Sequence, residues 1–257
     1  MQTIKIGKHT ASIFDGIEDM PIVRYHKFMK CLLIDAGIGG DMAAVDRHLY
    51  KAMAYVGGKK IDLAQIELDN LRQNFNFILN GVSPRLLAFA ALVAELDGKP
   101  TGTTDSELQK VADILKDATV GEVDANVDTK KKRLDDELKT YFADLFDDES
   151  DKEYYDLLKS RTLAMLQSIS GEGDAAKIER LTQALLLHVK PKSFVGKDNA
   201  EIRYEKNFER LCLYLSEYTN KDVKSLTTME FYNLYEYGKE QIKIKKKTTE
   251  KKLGFFT

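Results

Sequence analysis

The sequence predicts a mainly α protein, a multi-helix bundle-like fold with a short N-terminal β-hairpin. Apolar residues recur at intervals of three and four along most of the chain after Gly16, which is the period of an amphipathic helix. Strict alternation of polar and apolar residues, which is typical of a strand, is confined to residues 3–6. The chain has 257 residues, 43% of them hydrophobic and only 4 of them proline, so it can bury a core with few helix breaks.

The N-terminal hairpin is predicted from residues 3–6, a turn at Gly7 and Lys8, and a returning strand over residues 9–14. No later segment of the chain shows a strand pattern. Because an isolated two-stranded hairpin is marginally stable in water, we expect this one to pack on helices or on another subunit.

Four helices are expected next. Pro21 suits the first turn of a helix, Asp41 is a good N-cap, and Ser83 with Pro84 can start the fourth helix. The predicted helices cover residues 21–37, 41–57, 62–81 and 83–96. The fourth is apolar on most sides over residues 86–96, so we expect it to be central and the most buried.

The second and third of these helices each carry an apolar stripe at helical spacing. The stripe of the second helix consists of Val45, Leu49, Met53 and Val56. The stripe of the third helix consists of Ile66, Leu71, Phe75, Ile78 and Leu79. His48 lies beside the stripe of its helix, and we expect it to have a structural role.

Six further helices are predicted beyond residue 104. They cover residues 105–116, 119–146, 150–169, 175–189, 199–218 and 227–244. Three of them begin with the spacing of a capping box, in which two side chains each bond the other's backbone amide. The pairs are Thr119 with Glu122, Ser150 with Glu153, and Thr227 with Glu230.

Two segments could divide the chain: a polar run over residues 116–132, and residues 190–196, in which Pro191 ends a helix. We predict an N-terminal region of hairpin and helices over residues 1–118, a C-terminal helical region over residues 119–242, and a basic arm with an aromatic end over residues 243–257. No fixed-period repeat is visible, so the pattern does not favour a solenoid.

Composition and charge exclude several classes of protein. The 39 basic and 41 acidic side chains give a net charge of −2, which predicts no global attraction to nucleic acid or to a membrane. No apolar run approaches the roughly 20 residues of a membrane-spanning helix. The N-terminus shows no apolar signal region. Two cysteines cannot form a disulfide-rich scaffold, so we expect a reducing, intracellular setting and no membrane partner.

Residues 35–42 contain Gly-x-Gly in front of a helix, as in a dinucleotide-binding loop. Such a loop follows a strand, however, whereas a helix is predicted here. Met42 stands at the third glycine position, and Asp41 would repel a phosphate group. We interpret the segment as a tight turn between two helices, with glycines supplying positive φ and Asp41 supplying the cap.

Asp124, Asn126 and Asp128 have the first three spacings of a calcium loop, but Thr129 stands where that loop needs glycine. We predict no calcium site. The histidines show no metal-ligand spacing and the cysteines no catalytic motif; they are His9, His26, His48, His188, Cys31 and Cys212. We therefore predict no enzyme, no catalytic residue, no cofactor and no metal site.

Two charged segments are candidates for contact with a partner. The acidic stretch, residues 135–153, holds nine carboxylates and is either an exposed turn between helices or a docking surface for a basic partner. The basic arm is a solvated helix end, an arm that docks on a neighbouring chain, or a nucleic-acid contact. The candidate interaction residues are Lys243, Lys245, Lys246, Lys247, Lys251, Lys252, Phe255, Phe256, Asp144, Asp147, Asp148 and Glu149.

Two blocks carry a family resemblance. They are residues 17–39 (IEDMPIVRYHKFMKCLLIDAGIG) and residues 70–73 (NLRQ) followed by 83–93 (SPRLLAFAALV). Together they resemble proteins that tailed bacteriophages and prophages of gut bacteria encode in the structural and assembly part of their genomes. The resemblance covers about the first hundred residues and weakens to a general likeness beyond them.

The resemblance implies a non-enzymatic virion structural or assembly protein of the neck, tail or head, located in the virion or in the host cytoplasm during assembly. Its expected partners are other copies of itself and other phage structural proteins. The separation of charge suggests a head-to-tail contact, in which the acidic stretch of one copy receives the basic arm of the next. The alternative function is a helical nucleic-acid-binding protein that uses the lysines of the basic arm.

Overall fold

The chain folds as the sequence predicts, into a mainly α multi-helix protein with an N-terminal β-hairpin. The computed structural model describes residues 1–117, 120–146, 152–171 and 173–253. The helices are α1 Ile22–Gly37, α2 Met42–Gly57, α3 Ile61–Asn80, α4 Pro84–Leu92, α5 Asp105–Leu115, α6 Val120–Tyr141, α7 Ala143–Phe146, α8 Lys152–Ile169, α9 Ala175–His188, α10 Ala200–Leu215 and α11 Thr228–Leu253.

The predicted hairpin belongs to a larger sheet. Strands β1 Gln2–Ile6 and β2 His9–Ile13 pair antiparallel, and β2 also pairs with β3 Val93–Leu96, which pairs with β4 Lys99–Pro100. The sheet order is β1-β2-β3-β4. Strands β2 and β3 are neighbours in the sheet, but helices α1 to α4 separate them in the sequence. The expectation of strand structure near the N-terminus alone was wrong.

The predicted helix over residues 83–96 ends at Leu92, because its last four residues form β3. Val93 has extended backbone angles, and residues 93–96 find hydrogen-bonding partners along β2. A buried strand reads as a continuous apolar run, which periodicity cannot tell from a buried helix. The turn after β3 uses Asp97 and Gly98, with φ of 51° and 75°, as a two-residue hairpin turn requires.

The main core lies between the sheet, α1 and α4. Residues 88–92 of α4, among them Phe89, are fully buried, as expected for the central segment. The same cluster of buried side chains includes Leu134 and Leu138 of α6, Leu215 of α10 and Phe231 of α11. Side chains from both sides of the boundary predicted at residue 118 therefore share one core. The division into regions stays a prediction.

A buried arginine ties α1 to the chain that follows the sheet. Arg24 is 2% exposed, and its Nη2 donates to the backbone oxygen and to Oγ1 of Thr101, each at 2.6 Å. Burial lowers the pKa of the Arg24 guanidinium to about 10, so the group stays charged at neutral pH. Hydrogen bonds to the charged group offset part of the cost of its burial.

Helix α11 begins with the predicted capping box. The backbone N–H of Thr227 donates to Glu230 Oε2 at 3.0 Å, and the N–H of Glu230 donates to Thr227 Oγ1 at 3.2 Å. The helix continues to Leu253, so the end predicted at Ile244 was too early. The predicted caps at Thr119 and Ser150 lie outside the described residues.

The helix predicted over residues 119–146 is interrupted. Phe142, which is 2% exposed, falls between α6 and the short α7 and packs in the main core. The large buried ring at this position contacts Tyr232 of α11, with ring centroids 5.6 Å apart. A buried aromatic anchor therefore lies where one continuous helix was expected.

Candidate functional site

The α2–α3 hairpin exposes much of its two apolar stripes. Leu49, Met53 and Val56 of the stripe on α2 are 44%, 74% and 55% exposed. On α3, Phe75 and Leu79 are exposed as well. Of the α2 stripe, Val45 alone is buried. Three residues of the predicted α3 stripe, Ile66, Leu71 and Ile78, are half-buried.

The buried face of this hairpin is polar or small. On α2 the buried residues are Ala44, Val45, His48, Ala52 and Tyr55. On α3 they are Ala64, Glu67, Asn70 and Asn74. Burial of polar side chains is unfavourable unless they are hydrogen-bonded, so their partners decide which face turns inward.

His48 and Glu67 form the centre of this polar interface. His48 Nε2 lies 2.8 Å from the carbonyl oxygen of Ile38, and His48 Nδ1 lies 2.6 Å from Glu67 Oε2. A carbonyl oxygen can only accept, so Nε2 carries a hydrogen and donates. One further proton must then lie between Nδ1 and Oε2. The pair is neutral overall, either as imidazolium with carboxylate or as imidazole with carboxylic acid.

Two asparagines connect α3 to distant segments. Asn74 Nδ2 donates to the carbonyl oxygen of Ile38 at 3.1 Å, and Asn70 Nδ2 donates to that of Lys192 at 3.0 Å. Within the described part of the chain, the buried oxygens Glu67 Oε1, Asn70 Oδ1, Asn74 Oδ1 and Tyr55 Oη have no hydrogen-bond partner. The interface therefore contains buried hydrogen-bond acceptors that receive no hydrogen bond, which is uncommon in a folded protein.

The sequence analysis missed Glu67, Asn70 and Asn74, although they leave a recognisable signal. They follow one another at intervals of three and four residues, which places them on one face of α3. A polar stripe at helical spacing beside a histidine on the neighbouring helix indicates a buried polar interface as well as it indicates a solvated surface.

The outer faces of the hairpin form the candidate contact surface, which we call the apolar stripes. The α2 stripe consists of Leu49, Met53 and Val56, which are spaced four and three residues apart. The α3 stripe consists of exposed apolar residues that are mostly seven apart: Ile61, Leu68, Phe75 and Leu79. Scattered exposed apolar residues are ordinary, but aligned rows of them mark interaction sites.

A second helical hairpin, α8–α9, also exposes apolar side chains. Tyr155, Leu166 and Ile169 of α8 are 61%, 56% and 82% exposed, and α9 has no buried residue. Tyr50 of α2 donates a hydrogen bond to Glu179 of α9 at 3.0 Å, which joins the two hairpins at the surface. Both hairpins thus present apolar side chains to the outside.

The acidic stretch is partly neutralised within the chain. Asp135 is paired with Lys131, and Glu137 accepts from Arg133 at 2.9 Å and from the backbone N–H of Ile17 at 2.8 Å. Asp144 lies in α7. The other three candidate acids, Asp147, Asp148 and Glu149, lie outside the described residues.

The basic arm continues the helical backbone of α11 as far as Leu253. Lys243 is exposed and forms no ion pair with a described residue. The backbones of the other candidate lysines, Lys245, Lys246, Lys247, Lys251 and Lys252, are helical. Phe255 and Phe256 lie outside the described residues.

The Gly-x-Gly segment is a turn between α1 and α2, as we interpreted it. Gly39 has a φ of 74°, and a Cβ at this position would lie 2.4 Å from that of Ala44. The side chain of Asp41 accepts from the backbone N–H of Ala44 at 2.7 Å and caps α2. These contacts explain both the glycine and the aspartate without a nucleotide.

The acids of the apparent calcium loop lie on α6 and bind an arginine. Arg85 Nε donates to Asp124 Oδ1 at 2.8 Å, and Nη2 donates to Asp128 Oδ1 at 2.5 Å. Its Nη1 lies 3.4 Å from Asp35 of α1. Among the described residues, no group of three or more His, Cys, Asp or Glu side chains is placed to hold a metal ion.

The cysteines and the remaining buried histidine lie in packed surroundings. Cys31 and Cys212 are free and buried, and burial raises the pKa of their thiols to about 12 and about 11. His26 stacks between Tyr204 and Phe208, with ring centroids 4.5 Å and 3.9 Å away. Burial lowers the pKa of His26.

Comparison with known proteins adds no relative: neither a family model, nor a curated protein, nor a solved structure matches this chain. Among the described residues, no single helix has both the length and the apolar character to span a membrane. Helices α3 and α4 meet that test on length and composition only as a pair, with a 65° bend between them.

Proposed function

We propose that this chain is a non-enzymatic structural or assembly protein of a tailed bacteriophage, and that it acts through contacts between its own copies and with other phage structural proteins. The observation that carries the proposal is the α2 apolar stripe, Leu49, Met53 and Val56, which is exposed over a polar interior. The resemblance of residues 17–39 and 83–93 to phage assembly-region proteins supports the same role. Virion components work through repeated contacts between copies.

Burial of the α2 apolar stripe against another surface would be energetically favourable. Burial of apolar area contributes roughly 25 cal/mol per Å², so three large side chains in water leave a substantial gain unused. The hairpin cannot recover that gain within the chain, because its inner face is committed to the hydrogen bonds of His48 and Asn74. A second copy that packs its own apolar stripe against α2 would recover it.

Self-association of the 257-residue chain tests the proposal. We expect sedimentation velocity to show oligomers whose population rises with concentration. Met53→Glu should shift the protein towards monomer, because it places a charge in the middle of the surface that self-association would bury. The matched control is Ala43→Glu, which introduces the same side chain at an exposed position of α2 away from the stripe and should associate like the wild type.

A strictly monomeric wild-type chain at high micromolar concentration would overturn the self-association. Equal association of the Met53→Glu and wild-type proteins would place the contact elsewhere. The viral role is tested separately by mass spectrometry of purified particles of the phage that encodes the chain, together with lysates of infected cells. Presence in neither the particle nor its assembly intermediates would contradict a structural or assembly function.

A further inference from the structure

A small cavity lies between the end of α1, the middle of α2, Glu67 of α3 and the segment after α9. Its volume is about 110 Å³. One water molecule occupies roughly 30 Å³ of liquid, so the cavity has room for one small polyatomic ion rather than for a metabolite of drug size. We call it the basic cavity, because its charged lining consists of Arg47, Lys51, Lys190, Lys192 and the His48–Glu67 pair.

The walls of the basic cavity are held in place from several sides. Phe194 is buried with Ile34 and Ile38, and its ring lies so close to Gly37 that an added Cβ would be 2.3 Å away. The hydrogen bond from Asn70 to the carbonyl oxygen of Lys192 fastens the same segment to α3. The segment that carries Lys190 and Lys192 is therefore fixed over α2.

The cationic side chains of the cavity have few counterions, although Asp35 lies near enough to Arg47 for the two charges to interact. No described carboxylate forms an ion pair with Arg47, Lys190 or Lys192. Lys51 Nζ has only a long contact, 3.9 Å, to Glu67 Oε1. Burial lowers the pKa of Lys51, Glu67 acts against that change, and the nearby Arg47 lowers the pKa further. An anion in the cavity would relieve this repulsion.

The His48–Glu67 pair adds no net negative charge to the cavity, although Glu67 acts to raise the pKa of Lys51. The Nδ1–Oε2 contact of 2.6 Å and the Nε2 contact with a carbonyl oxygen make the His48–Glu67 pair neutral in either protonation state. The four cationic groups therefore leave the cavity with a net positive charge, with Arg47 and Lys51 half-buried and Lys190 and Lys192 exposed to solvent.

The free oxygen of Glu67 narrows the choice of anion. Oε1 is buried without a hydrogen-bond partner, and it is an acceptor in both protonation states of the pair. A ligand that satisfies it must donate. Inorganic phosphate at neutral pH keeps an O–H, whereas sulfate has none and a phosphomonoester, whose second pKa is about 6, has lost it. The cavity thus matches an anion that is both charged and protonated.

We propose that the basic cavity binds inorganic phosphate, with Arg47, Lys51, Lys190 and Lys192 facing its charged oxygens and Glu67 Oε1 accepting from its O–H group. Arginine suits this role because its planar fork matches phosphate oxygens. The site lies on the inner side of the α2–α3 hairpin and does not depend on self-association of the chain.

Isothermal titration calorimetry of the 257-residue chain tests the site. Sodium phosphate is titrated at pH 7.5 in a phosphate-free buffer of constant ionic strength, with sodium sulfate and methyl phosphate as parallel ligands. We expect saturable binding of one phosphate per chain. Sulfate and methyl phosphate should each bind about tenfold more weakly or worse, because neither has an O–H group to donate to Glu67 Oε1 at this pH.

Two variants probe the cavity, and one serves as a control. Arg47→Gln and Lys51→Gln should each weaken phosphate binding by about tenfold or more, since each removes a charged donor. Lys177→Gln removes a lysine of α9 that is exposed and does not line the cavity, and it should bind like the wild type. Thermal unfolding of each variant without phosphate separates lost binding from lost folding.

The proposal is overturned if phosphate shows no saturable heat, or if Lys177→Gln weakens binding as much as Arg47→Gln. Binding of sulfate as tight as that of phosphate would contradict the role assigned to Glu67 Oε1. Loss of binding in folded Arg47→Gln and Lys51→Gln proteins, together with a preference for phosphate, would establish the site. Either result is independent of whether the chain forms oligomers.

Discussion

The α4 region and the α2–α3 hairpin use their side chains in opposite ways. Residues 88–92 of α4 are apolar and fully buried between α1 and the sheet. The hairpin buries His48, Glu67 and two asparagines and exposes its apolar rows. Apolar spacing thus identifies the face of a helix that suits contact with another surface. It does not say whether that surface belongs to the same chain.

The largest effect should come from emptying the core of the first region. Phe89→Ala removes a fully buried ring and should lower the free energy of unfolding by about 3–5 kcal/mol. Met53→Ala, on the exposed stripe, should change the stability of the monomer by no more than about 0.5 kcal/mol. Denaturant unfolding at low protein concentration measures both. Similar losses of unfolding free energy for the two variants would contradict the difference between the buried α4 region and the exposed α2 stripe.

The polar interior of the α2–α3 hairpin should contribute less to the free energy of unfolding than the apolar core around α4. Glu67→Leu removes the partner of His48 Nδ1 inside a buried interface and should cost about 1–3 kcal/mol. The double variant His48→Leu with Glu67→Leu should cost less than the sum of the single variants, because it leaves no unpaired polar group. Strictly additive losses in a double-mutant cycle would argue against the shared proton between the two residues.

A charged cluster on the main core region gives a smaller, pH-dependent effect. Burial alone would raise the pKa of the Glu205 carboxyl. Hydrogen bonds from Lys30, His26 and Lys27 outweigh that effect and lower the pKa from 4.5 to about 2. A group whose pKa is depressed in the folded state stabilises the fold above its unfolded pKa and loses that contribution as pH falls.

We therefore expect stability to fall between pH 4.5 and about 2 in the wild type, and to fall less over this window in Glu205→Gln. Glu217→Gln is the matched control, since Glu217 is exposed and forms no ion pair among the described residues. Acid unfolding followed by circular dichroism measures the slopes. Identical slopes for Glu205→Gln and the wild type would show that the cluster contributes nothing in this range.

The smallest effect concerns the basic arm. Charge reversal at Lys245, Lys246 and Lys247 should weaken self-association modestly if the arm meets the acidic stretch of a neighbouring copy, and the difference should shrink as salt is added. Sedimentation at two salt concentrations measures it. Unchanged association would reject the head-to-tail contact. Salt-sensitive DNA binding that the reversal abolishes would favour the nucleic-acid alternative instead.

Much of the fold could be predicted from local signals. Asp41, Ser83 and Thr227 cap helices as their residue types and spacing predict. The hairpin turn at Gly7 is also where the alternation of residues 3–6 places it. These features depend on side chains that bond the backbone within three or four residues, so the necessary information is local.

The rest depends on partners that are distant in the sequence. Strand β3 has the local apolar pattern of a buried helix end, and its strand structure depends on hydrogen bonds to β2, about 80 residues earlier. The inward face of α3 is chosen by the contacts of Glu67 with His48 and of Asn70 with Lys192, the latter 122 residues away. The basic cavity could not be foreseen for the same reason, since its cationic groups come from two segments that are far apart in the sequence, α2 and the residues after α9, and Glu67 comes from α3.

The most direct test of self-association through the α2 stripe asks whether the stripe becomes buried when two copies of the chain bind each other. A solvatochromic fluorophore attached at Met53→Cys reports its surroundings, and the native Cys31 and Cys212 are buried thiols with raised pKa values that should resist labelling. Addition of unlabelled wild-type chain should shift the emission at position 53 to the blue and leave a label at Ala43→Cys unchanged. No shift at position 53 while oligomers form, or equal shifts at both positions, would contradict burial of the α2 stripe between copies of the chain.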